Sequence, residues 1–286
     1  MSQPRYPIQT YEFRNLHGRG ARAVGREDPK DRFWLVLSGA PTHKHKLFTA
    51  SSVTSASERS HREYLFPPDN EPLGVDGVKP DSRIDVQQIW TFPSDRDATD
   101  RTPVPALDSE TFVAQLKARI RRQLTAQPGR ESNPYDVGRV VWVKLAGDPV
   151  DPMSDLHAVQ RRLNATYDSP WKPGSPLLPA VVIATSVHER ADDLSVFPLI
   201  TAVPMLVLPR FREKFGNRNP SVECQGTGGA AVYTVLTQLL LTVDYEAGDR
   251  VQLSNGAQKS WCVADRELEA IRTDVLGFMG IRHGPA

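Results

Sequence analysis

At 286 residues, with 35 Lys and Arg against 34 Asp and Glu, the chain is long enough for two compact domains and carries a formal charge of only +1. A near-neutral balance gives no global field for nucleic acid, so any such binding has to come from a local patch. Two cysteines, Cys224 and Cys262, are too few for a disulfide framework or a four-cysteine zinc site, no apolar run reaches the roughly 18 residues of a membrane span, and Met1 to Thr10 lacks an apolar export core. These features predict a folded, reduced, cytoplasmic protein without membrane association, and no metal or cofactor is implied.

In chain order, the first strand signal is Phe33-Trp34-Leu35-Val36-Leu37, a β-branched and aromatic run. A basic loop, Thr42-His43-Lys44-His45-Lys46, follows and leads into Val53-Thr54-Ser55. Proline-rich stretches such as Phe66 to Pro72 then read as loops between short elements. Phe112, Val113, Leu116, Ile120 and Leu124 recur at helical spacing behind a cap at Asp108 or Ser109, and this helix ends before Pro128-Gly129. The segment from Gln127 to Tyr135 reads as a linker. Beyond it come strand candidates Arg139 to Leu145, Ala180 to Ile183 and Ala230 to Val243. A last amphipathic helix starts near Ala264 or Asp265, carries Leu268, Ile271, Val275 and Phe278 on one face, and stops around Gly280.

Each half therefore ends in a helix, and the order of segments repeats. Arg32 to Ser38 aligns with Leu178 to Ala184, 146 residues later, and Val53-Thr54-Ser55 aligns with Ile200-Thr201-Ala202. Gln88 to Phe92 aligns with Gln238 to Thr242, and Phe112 with Leu268. The expected division is 1–128 and 129–286.

The second half resembles the MazF/PemK family of toxin endoribonucleases. The resemblance is carried by Gly138-Arg139-Val140-Val141-Trp142-Val143-Lys144-Leu145, by Leu178-Pro179-Ala180-Val181-Val182-Ile183-Ala184, by Pro198-Leu199-Ile200-Thr201, by Thr237 to Asp244 and by the closing helix. It spans about residues 136–282, and a fainter version runs through Asp31 to Ser38, Ser52 to Ser55 and Val86 to Thr91. The resemblance implies a mainly β chain with C-terminal helices, built as two SH3-like β-barrel halves, a covalently fused form of the family's homodimer. It also implies cleavage of single-stranded RNA without a metal, and restraint by a small antitoxin protein.

Family catalysis uses an arginine before the second strand and a threonine or serine on the next, positions that the first half fills with Arg32 and Thr54. A guanidinium can stabilise the phosphorane formed when the RNA 2′-OH attacks its phosphate, while a hydroxyl holds a non-bridging oxygen. The second half has Leu178 in the arginine position and is expected to be inactive. His43, Lys44, His45, Lys46 and Ser55 are the expected RNA contacts, with the basic run Arg210, Arg212, Lys214 and Arg218 as an extension of the groove or a solubilising face. An arginine at a strand start is more often a surface ion-pair partner than a catalyst, here with Asp31 beside it, and a threonine such as Thr54 is more often a strand-forming residue with a satisfied hydroxyl. The alternative function is a catalytically inactive module of the same type that binds protein or nucleic acid.

Overall fold

The computed structural model describes residues 12–16, 32–37, 47–55, 65–67, 73, 78–93, 101–103, 110–126, 135–144, 177–189, 196–206, 220–226, 229–237, 239–244, 251–252 and 262–281. They form two antiparallel sheets and two helices. The first sheet contains β1 (Glu12–Leu16), β2 (Arg32–Val36), β3 (Leu47–Ser55), β4 (Leu65–Phe66), β5 (Ser82–Pro93) and β6 (Arg101–Pro103), in the spatial order β4-β5-β3-β2-β1-β6. Helix α1 (Glu110–Thr125) follows. The second sheet contains β7 (Val140–Lys144), β8 (Leu177–Glu189), β9 (Val196–Leu206), β10 (Ser221–Gly226), β11 (Gly229–Val235), β12 (Leu241–Asp244) and β13 (Val251–Gln252). Its order is β10-β11-β9-β8-β7-β13, with β12 also on β9, and helix α2 (Asp265–Phe278) closes it. No helix among the described residues is long and apolar enough to cross a membrane.

The two sheets share one plan: β4-β5-β3-β2-β1-β6 corresponds to β10-(β11, β12)-β9-β8-β7-β13. Neither strand order returns to its starting strand among the described residues, so the sheets are open where closed barrels were expected. The apolar run from Ala230 to Val243 also differs from its reading as one strand. It breaks at a turn in which the Leu239 N–H donates to the Leu236 carbonyl at 2.8 Å, and β11 and β12 then pair separately with β9.

Both predicted helices form because their apolar residues share one face. Leu116, Ile120 and Leu124 of α1 and Leu268, Ile271 and Val275 of α2 join Phe13, Leu35, Ile84, Val86, Ile89, Val181 and Ile183 in one core. Each such side chain contributes about 1.5–3 kcal/mol when fully buried. Helix α2 begins with the Ala264 N–H donating to Glu267 Oε2 at 3.0 Å. It ends at Gly280 with φ +60°, where Ile281 N–H donates to Leu276 O and Gly280 N–H to Gly277 O, the paired bonds of a glycine C-terminal cap.

A buried arginine fixes this helix to the sheet. The β8–β9 register shifts between Val182 and Ala184, and the Ile183 carbonyl at this bulge accepts Arg272 Nε at 3.2 Å and Nη2 at 2.9 Å. Nη2 also donates to the Ala126 carbonyl just past α1 at 2.8 Å, and Nη1 meets Glu269 Oε1 at 3.2 Å. Burial pushes the Arg272 guanidinium below its ordinary range, while the hydrogen bond and charge of Glu269 pull it back up.

The sheets meet through two threonines. The Leu240 N–H donates to Thr91 Oγ1 at 2.9 Å, and the Thr91 N–H donates to the Leu240 carbonyl at 3.0 Å. In the second sheet's counterpart, the Ile89 N–H donates to Thr242 Oγ1 at 3.3 Å and the Thr242 hydroxyl to the Ile89 carbonyl at 2.8 Å. Thr91 shares a 3.2 Å hydroxyl bond with Thr49, and Thr242 an equal one with Thr201. The roles of Thr91 and Leu240 thus exchange with those of Thr242 and Ile89, as across an isologous contact.

Two stability outcomes follow. Thr242→Val removes the hydroxyl that both donates to and accepts from Ile89, and should lower unfolding free energy in urea by about 1–3 kcal/mol; a change within about 0.5 kcal/mol would remove the clasp as a stabilising contact. Arg272→Leu leaves the buried Ile183 carbonyl without its donor and removes the bond to Ala126, and should cost about 2–5 kcal/mol in the same measurement. A neutral Arg272→Leu result would mean that the bulge carbonyl finds another donor.

Candidate functional site

Strand pairing sets the expected catalytic residues in their places. Trp34 pairs with Ser52, Leu35 with Ser51 and Val36 with Ala50 between β2 and β3; continuing that register by two residues sets Arg32 across from Thr54. On the other side of β3, Thr54 pairs with Arg83 of β5, and Ser55 with Ser82. Arg32, Thr54 and Arg83 therefore occupy one row across three adjacent strands, with Leu16 opposite Arg32 on β1. Cross-strand partners share a sheet face, so the row is a candidate for combined action. The side chains of Arg32 and Ser55 lie outside the described residues, as do His43, Lys44, His45, Lys46 and the Arg210 to Arg218 run.

Thr54 is 2% exposed and Arg83 7% exposed. The Arg83 guanidinium is steered by its own turn: Nη1 donates to the Ser82 carbonyl at 2.8 Å and to the Pro80 carbonyl at 3.3 Å. Two residues along the same strand, Asp85 is fully buried opposite Ser52. Its Oδ1 accepts the Gln87 N–H at 3.1 Å and its Oδ2 the Gln88 Nε2–H at 2.8 Å, while the Ser52 hydroxyl donates to Gln88 Oε1 at 3.1 Å. The Ser51 hydroxyl donates to the Asp85 carbonyl at 2.6 Å. These bonds span a bulge: Ser51 pairs with Ile89 but Ser52 with Asp85, so Val86, Gln87 and Gln88 are extra residues on β5. The Gln87 amide is fully buried with neither its oxygen nor its nitrogen hydrogen-bonded.

The second sheet lacks this chemistry at the equivalent row. Val143 pairs with Leu178, and Leu206 with Thr234; the β8–β9 register through Ala180–Pro204, continued by two residues, sets Leu178 across from Leu206. The Leu–Leu–Thr row carries no cation where the first sheet has two.

The threonine equivalence drawn from sequence also shifts. Thr49 pairs with Thr91 as Thr201 pairs with Thr242, so Thr201 corresponds to Thr49, not to Thr54. The flanking residues agree, since Leu47-Phe48-Thr49-Ala50 matches Leu199-Ile200-Thr201-Ala202. In the first sheet the counterpart of Thr201 lies in the clasp between sheets, five residues from the row that holds Thr54.

Sequence reasoning missed Arg83 and Asp85. Their signal is the alternation in Ser82-Arg83-Ile84-Asp85-Val86, in which Ile84 and Val86 enter the core and Arg83 and Asp85 take the opposite face. In the basic tail of α1, Arg119 Nη1 donates to the Leu65 carbonyl at 2.6 Å, with its guanidinium 6.0 Å from the Phe66 ring centre. Burial lowers the Lys117 pKa from its ordinary value. Among the described residues, no three His, Cys, Asp or Glu side chains gather as metal ligands.

No protein-family model, curated protein or solved structure matches this chain.

Proposed function

We propose that the chain is a tandem MazF/PemK-like endoribonuclease, two SH3-like halves over 1–128 and 129–286, that cleaves single-stranded RNA without a metal in the cytoplasm under restraint by a small antitoxin. The reading rests on the Arg32–Thr54–Arg83 row, present in the first sheet and replaced by Leu178, Leu206 and Thr234 in the second. Two cations flanking a hydroxyl suit a phosphate whose charge rises during reaction. In the reaction the RNA 2′ oxygen bonds to phosphorus, its proton passes to a base, and the P–O5′ bond breaks as the leaving oxygen takes up a proton. The products are a 2′,3′-cyclic phosphate and a 5′-OH. Arg32 and Arg83 stabilise the phosphorane through their positive charge.

The burial of Thr54 favours a second reading, a catalytically inactive module of the same type that binds protein or nucleic acid. A hydroxyl that is 2% exposed is enclosed, whereas a catalytic one has to touch the scissile phosphate.

Incubating the full chain and its Arg32→Ala variant with long single-stranded RNA in EDTA separates the readings. The ribonuclease reading expects fragments with cyclic phosphate ends, and a loss of about 10²–10³-fold in rate for Arg32→Ala. Intact RNA with the unmodified chain transfers the assignment to the binding module. Cleavage of equal rate in both proteins removes Arg32 from the chemistry.

A further inference from the structure

We propose that Arg83 is an anion-binding residue whose ligand is a phosphate oxyanion. This deepens the ribonuclease reading and rests on it for the identity of the strand that carries the phosphate, but the binding itself has its own observable.

Arg83 is more than nine-tenths buried, and its hydrogen bonds go from Nη1 to two neutral carbonyls, those of Pro80 and Ser82. None of the described carboxylates forms an ion pair with it. Asp85, the nearest acid along the same face of β5, already accepts the Gln87 N–H and the Gln88 amide. A buried cation with no ion-pair partner among the described residues is costly, and an anion brought from outside would offset that cost.

Geometry narrows the ligand. The two carbonyl bonds hold one edge of the guanidinium, leaving the Nε–H and Nη2–H donors for a forked acceptor. The register puts a hydroxyl-bearing residue, Thr54, directly across on β3, and a second arginine, Arg32, one strand further on. A row of two cationic residues on either side of a hydroxyl-bearing one matches a tetrahedral, multiply charged oxyanion better than a single carboxylate, which needs one fork alone. The second sheet supplies the contrast, for the position of Arg83 is Thr234 and that of Arg32 is Leu178.

The test uses the full chain with Arg83→Gln and Arg83→Lys. Inorganic phosphate binding is followed by calorimetry at fixed ionic strength, and a short 2′-O-methyl RNA, which cannot be cleaved, by fluorescence anisotropy. The unmodified chain should bind, Arg83→Gln should bind about tenfold more weakly or worse, and Arg83→Lys should fall between because it keeps the charge and loses the fork. Arg83-dependent binding of the RNA, with or without free phosphate, supports the site and its source in a nucleic-acid strand. Arg83-dependent binding of inorganic phosphate alone supports the anion site, assigns free phosphate as its ligand and counts against the ribonuclease reading. No binding of either ligand, or equal binding by all three proteins, overturns the proposal. RNA cleavage persisting alongside that equality leaves the ribonuclease standing and removes only Arg83. Should Arg83→Gln fail to fold, the lysine variant decides: phosphate binding unchanged from the parent chain overturns the site.

Discussion

Burying the ends of β5 and β12 together obliges their polar backbone groups to find partners, and two threonine hydroxyls meet that demand. Thr91 and Thr242 each satisfy a backbone N–H of the opposite strand, and each rests on a second threonine, Thr49 or Thr201, behind it. A valine at either position has nearly the same shape but leaves a buried N–H unpaired, and so these sites require threonine where elsewhere in a sheet the two residues interchange. The core is continuous across this contact, including Leu240 from one side and Ile89 from the other. The rest of the fold is arranged around that pairing, with α1 and α2 joined by the Arg272 bridge from the Ile183 bulge to Ala126.

The same strand that makes the clasp also carries the candidate site. The later part of β5, from Ile89 onward, holds the other sheet, while its earlier part, Ser82 to Asp85, faces Thr54 and Ser52. Between them the three-residue bulge resets the register, and Asp85 ties that bulge together through Gln87 and Gln88. A buried carboxylate spent on organising a bulge is costly unless its oxygens are hydrogen-bonded, and both are. The unsatisfied Gln87 amide beside it shows that this segment is kept polar at an energetic cost of about 1–3 kcal/mol for each unpaired group.

Much of this was legible in the sequence, and the exceptions have physical causes. The helices were legible because Leu116, Ile120 and Leu124, and Leu268, Ile271 and Val275, keep helical spacing over several turns. Strands β2 and β7 were legible from their β-branched runs, and the offset relating β2 to β8 agrees with their registers. The threonine equivalence was not, because Val53-Thr54-Ser55 and Leu47-Phe48-Thr49-Ala50 are equally good local matches to the segment around Thr201; only pairing with Thr91 and Thr242 distinguishes them. The break between β11 and β12 falls at Leu236 to Leu240, without the glycine or proline that marks a turn, and was invisible for that reason. Arg83 lay in an alternating segment, yet alternation alone does not tell a charged row facing solvent from one that is buried.

The two sheets then differ in a way that their shared topology makes interpretable. Equivalent rows hold Arg32, Thr54 and Arg83 in one and Leu178, Leu206 and Thr234 in the other, so the same positions accept either charge or hydrocarbon without altering the strand order. Arg83, buried at its position, has Thr234 as its counterpart, so the frame there takes an uncharged residue as well as a charged one. The charged residue is the costlier of the two to bury. The clasp requires both sheets, whereas the proposed chemistry requires only one.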